Sequence, residues 1–171
     1  MTDTSTDRER SDLLESLQVH RGFLRFTVQG LTDAQARSRP TTSSELTLGG
    51  LVKHVALTER QWVDFVLEGP DAMAPTPDRW AAHADGFVLR EDETLDGVLA
   101  TYDEVARRTD ELVLSLPSLD VSHLLPEAPW FAPGATRSAR RVFVHVVAET
   151  AQHAGHADIL REAVDGQRTM G

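Results

Sequence analysis

Between Thr94 and Leu116, the residues Leu95, Val98, Tyr102, Val105, Thr109, Leu112 and Leu116 recur at alternating steps of three and four. That is the period of an α-helix, and it lays all of them on one stripe. A stripe this long needs a partner surface, and no stretch of the chain alternates as a half-buried strand does. The partners must therefore be other helices. One is expected from about Ser11 to Val28, with Leu14, Leu17, Leu24, Val28 and Leu31 on its stripe. A second runs through "LGGLVKHVALTERQWVDFVLEG" and a fourth from about Thr136 to Asp165. No internal repeat is visible. The expectation is an all-α fold, a four-helix bundle with long connecting loops.

The punctuation agrees. Thr47 is a plausible N-cap, Gly69 and Pro70 form a double stop, and Gly30 and Gly166 sit where helices end. Thr32 is placed to cap a short turn before Pro40. Gly49 and Gly50 weaken a helix start, which predicts fraying or close packing there. Arg21 falls inside the first stripe, where it either snorkels or points into a polar interior. The connection 70–93 is long and contains prolines, the kind of loop that is functional or poorly ordered. "PEAPWFAPG", 126–134, holds Trp130 and Phe131 in a stiff loop, suited to line a pocket mouth or to cover the core.

The 171 residues read as a single domain, 1–171, with 1–10 as a flexible tail. A net charge of −10 argues against a nucleic-acid or anionic-membrane surface. There are no cysteines, so disulfides, cysteine zinc sites and a thiol nucleophile of the chain's own are excluded. Any thiol chemistry must use a thiol from outside. "MTDTSTDRER" lacks the apolar run of a signal peptide and no segment approaches a membrane span, so the cytoplasm is expected.

The fourth helix carries the anomaly. With His145 at zero on a helical wheel, His156 falls near 20°, Glu149 near 40° and His153 near 80°, at about 100° per residue. Val142 and Leu160 both fall near 60°, so apolar side chains close the polar stretch at each end. Buried without partners, a carboxylate and imidazoles would cost several kcal/mol, on the order of a domain's whole stability. Glu149 and His153 are four apart, so their tips can converge. His54 on the second helix is the candidate for a third donor. Such a set with an open position suits catalytic zinc or another first-row divalent ion. Each residue also has a plainer reading: His54 as a hydrogen-bonded core histidine, Glu149 paired with Arg140 or Arg141, and His153 at a solvent cleft. His145 and His156 share the face and are candidates for an acid or base, a substrate contact or a donor to the ligands. His20 is assigned to the surface, and His83 and His123 to loops without a role.

The blocks "GLTDAQARSRPTTSSELTLGGLVKHVALTERQW" (30–62), "WF" (130–131) and "SARRVFVHVVAETAQHAGHADILREAVDG" (138–166) resemble the DinB-like superfamily, specifically its DUF664 branch. The resemblance implies a four-helix bundle with a divalent metal, commonly zinc or nickel, on three side chains. Many members use three histidines. Here Glu149 replaces one, as in mycothiol-dependent maleylpyruvate isomerases, and the implied ligands are His54, Glu149 and His153. Relatives use low-molecular-weight thiols, and the Asp-, Arg- and Ala-rich composition looks actinobacterial, which favours mycothiol over bacillithiol or glutathione.

The leading expectation is therefore a metal-dependent thiol S-transferase acting on a small electrophile. His156 and His145 are its candidate catalytic residues, and Trp130, Phe131 and Arg161 its candidate substrate contacts. A metal-dependent hydrolase, with His145 or His156 as base, and a non-catalytic metal-binding stress-response protein remain as alternatives. A homodimer is compatible with the sequence.

Overall fold

The computed structural model describes residues 4–74, 76, 77, 81 and 85–169. Four long helices make the bundle: α1 (Thr4–Thr27), α3 (Leu48–Glu68), α4 (Leu95–Ser115) and α5 (Ala139–Asp165). Between them lie a short α2 (Asp33–Arg37), one 3₁₀ turn (Pro70–Met73), and a ribbon of β1 (Ser122–Leu124) and β2 (Thr136–Ser138). α1 lies along α5, and α3 packs on both α4 and α5. This is the four-helix bundle that the stripes predict.

The caps form where the side chains allow. Thr47, Thr94 and Ser138 each accept the backbone N–H three residues on. Thr32 and Gln35 complete a capping box on α2. Gly166 closes α5 in the left-handed conformation, at φ 81°.

Two boundaries depart from expectation. α1 begins at Thr4, so most of the expected tail is helical. Arg10 is buried and donates to the carbonyls of Val113 and Leu116, which ties the first turns of α1 to the end of α4. α5 begins at Ala139, because 136–138 pair antiparallel with 122–124. A ladder three residues long leaves no alternation for a sequence to display.

The core is divided. One apolar cluster gathers Leu24, Leu51, Val55, Tyr102 and Leu160, and a second Leu17, Trp62, Phe65, Val113 and Phe143. Between them each long helix places polar groups: Arg21, Glu59, Thr109 with Asp110, and Thr150. Arg21 points inward, paired with Glu59 and, at 2.7 Å, with Asp110.

Gly49 and Gly50 reflect close packing. A Cβ on Gly50 would stand 1.9 Å from the Phe87 carbonyl oxygen, and one on Gly49 2.7 Å from Leu89 Cδ2. The end of the long connection thus lies directly on α3. Lys53 holds it there through Asp85, Glu93 and the Val88 carbonyl, at 2.8 to 3.1 Å.

Candidate metal centre and cavity

α3 and α5 present His54, Glu149 and His153 to one point. Both imidazole Nε2 atoms lie against the same Glu149 oxygen, His54 at 3.3 Å and His153 at 3.2 Å. One donor atom from each residue lies within 4.8 Å of the others. Ligands about 2.0–2.1 Å from a tetrahedral zinc stand roughly 3.3–3.4 Å apart, so the spacing around Glu149 fits a small divalent ion. Two nitrogens and an oxygen are suitable donors for first-row metals. The residues present fit the group.

The surroundings hold these side chains in place. Phe87 stacks on His54 at 3.8 Å and 18°, a position reached because Gly50 admits its backbone. His156 Nδ1 lies 3.5 Å from His153 Nδ1, the ring nitrogen turned away from Glu149. Hydrogen bonds from His153 and then His54 hold the Glu149 carboxyl well below the usual carboxylate range, against the opposing effect of burial. It is a carboxylate at any physiological pH.

A cavity of about 660 Å³ opens beside this centre, lined by His54, Thr58, Trp62, Trp130, Phe131, Arg137, His145 and Glu149 among others. Its size suits a small-molecule site. Trp130 and Phe131 therefore stand at a pocket, and Phe131 also packs on the second core cluster. His145 meets the Trp62 ring edge-on at 4.9 Å, and burial lowers its pKa.

Other candidates sit differently. His156 backs His153 and is not among the cavity's lining residues. Arg161, expected at the substrate, is buried at the far end of α5. It holds Asp165 at 2.9 Å and the Thr27 and Gln29 carbonyls at 2.9 Å each. That accounts for it as a tie between α5 and α1, away from the cavity. Glu149 is not paired with Arg140, which holds Glu9 and Asp120. His20 is partly buried beside Phe23, and His123 Nε2 lies 3.1 Å from the Val66 carbonyl near the end of α3. His83 lies outside the described residues. Sequence reasoning missed Phe87, Trp62 and Arg137. Only the glycine pair hinted at the first.

A mycothiol-S-transferase family model matches residues 12–166. The chain belongs to the mycothiol-S-transferase family. This bears out the DinB-like resemblance and gives the chain a transferase family with a thiol partner. A solved structure, that of a conserved protein from Enterococcus faecalis, matches with a TM-score of 0.63 at 14% identity, over 92% of this chain and 97% of its own. At that identity the likeness concerns the fold alone. No curated protein matches. Among the described residues, no helix is long and apolar enough to cross a membrane.

Proposed function

We propose that the protein is a divalent-metal-dependent thiol S-transferase that uses mycothiol to attack a small electrophile. The observation that carries this reading is the convergence of His54, Glu149 and His153 at the wall of a cavity, in a chain of this family. Zinc, on those three ligands with an exchangeable position, is the metal of choice. When bound it supplies a positive centre that favours the thiolate over the thiol, which is otherwise only a few per cent ionised at neutral pH for a pKa near 8.5.

The chain's own residues do the rest. Glu149 contributes one negative charge, so a divalent site keeps a net positive charge. His156 holds the His153 ring through its outer nitrogen and is a positioning residue. His145, kept neutral by burial, accepts the thiol proton from the cavity wall. Trp130 and Phe131 bound the side from which the electrophile enters and shield the new sulfur bond from water. The cytoplasm, where such thiols are held reduced, is the proposed compartment.

His145 also favours a second reading. A neutral base beside a divalent centre suits hydrolysis, and ester or amide turnover without thiol would select it. The test of the first reading is Glu149→Gln. It should keep the helical circular dichroism and lose metal and thiol conjugation together. Conjugation at the wild-type rate by that variant, stripped of metal, would refute the mechanism.

A further inference from the structure

One cationic group in the cavity wall has no assignment in the chemistry above. Arg137, on β2, lays its guanidinium over the Trp62 ring at 4.9 Å and the Phe131 ring at 5.6 Å. Its Nη1 is buried and has no hydrogen-bond partner. Among the described residues, the buried arginines are all partnered: Arg21 by Glu59 and Asp110, Arg161 by Asp165 and two carbonyls, and Arg10 by two carbonyls. A buried donor left unmade costs on the order of 1–3 kcal/mol, and native proteins rarely tolerate it without cause.

The neighbouring charges leave room for an anion. Asp64 also lines the cavity but is paired with Arg108 at 2.6 Å, and Glu149 is held between two histidines. Arg60, exposed at the wall, adds a second positive charge, and Arg141 lies near enough to act on Arg137. Desolvation and then Arg141 lower the Arg137 pKa, so a bound anion would relieve both burdens. The charged residues lining the cavity are Arg60 and Arg137 with Asp64 and Glu149, and both carboxylates already have partners. A carboxylate is planar, as a guanidinium is, and takes its N–H groups in pairs while both lie against ring faces. A tetrahedral phosphate also takes such N–H pairs but cannot lie flat with the guanidinium against the ring faces.

We propose that Arg137, on the aromatic floor of Trp62 and Phe131, is a subsite for a carboxylate carried by the electrophilic cosubstrate. The proposal rests on the cavity being the substrate site, yet its first test needs neither metal nor turnover. Metal-stripped full-length protein is titrated with benzoate and separately with benzamide, followed by calorimetry. Benzoate should bind the wild type about tenfold or more tightly than benzamide, an effect of the size that one charge-assisted hydrogen bond supplies. Arg137→Gln should lose that preference while keeping its helical circular dichroism. Arg137→Lys, which keeps the charge without the fork, should retain part of it. The wild-type comparison stands whether or not a variant folds. Absent benzoate binding, equal affinities, or a preference that survives Arg137→Gln overturns the subsite.

The source of the carboxylate is then read on metal-loaded protein with one thiol, comparing iodoacetate with iodoacetamide, each rate divided by its rate without protein. The S–C bond forms as C–I breaks, iodide leaves, and the thiol proton passes by way of His145 to buffer. A selective fall for iodoacetate in Arg137→Gln places the group on the electrophile. Intact transfer with no selective change in this comparison contradicts the proposal. Absent transfer with benzoate preference intact removes the transferase reading and leaves the subsite standing.

Discussion

An unfolded histidine takes up a proton near pH 6.5, whereas His145, packed edge-on against Trp62, does so only at lower pH because burial disfavours its charge. Between those two values the unfolded chain holds a proton that the native one does not, so stability should fall as pH drops through the window and level off below it. Melting temperatures of metal-free wild type and His145→Gln across pH 4.5–7.5 should show a shallower slope in the variant; parallel curves would contradict this. Gly50 makes a separate prediction. A methyl there meets the Phe87 carbonyl oxygen at 1.9 Å, so Gly50→Ala should cost about 1–3 kcal/mol and weaken metal binding through the displaced Phe87 ring. Denaturant melts and metal titration check both parts. Gly50 was readable as a site of close approach. What approaches was not, because Phe87 reaches it from a loop with no period to follow.

Among elements, the polar layer decides register. Arg21, with a side chain 4% exposed, and Glu59, at 0%, lie between two apolar clusters and fix how α1 sits on α3. Arg21→Leu alone should destabilise by about 3–5 kcal/mol because Glu59 is left as a buried charge, and Arg21→Leu with Glu59→Leu should recover much of it. Chemical denaturation of the two variants measures the difference; equal losses would mean that the pair is not coupled. The helix stripes and caps were legible at this scale, since Thr32, Thr47 and Gly166 act through local chemistry. Arg21 was visible as an intruder on its stripe, but its partners come from α3 and α4, and only packing brings them together. The two-stranded ribbon was likewise set by its neighbours.

For the whole molecule, the two apolar clusters hold the bundle independently of any ion. Chelation should leave the helical circular dichroism intact and lower the melting temperature, since a ligand bound only by the native state adds stability by mass action. Unfolding on EDTA would make the centre structural. The cluster of His54, Glu149 and His153 was legible because Glu149 and His153 interrupt an apolar face at one-turn spacing and His54 stood out on the second helix as the candidate third donor. Arg137's place in the cavity wall was not, because it lies on a short ribbon strand. The account's central claim is tested most directly by the initial rate of mycothiol conjugation to a small electrophile, with metal-loaded and metal-stripped protein compared beside glutathione and bacillithiol. Conjugation should require the metal and run fastest with mycothiol; an equal rate after stripping, or none with any thiol, would contradict it.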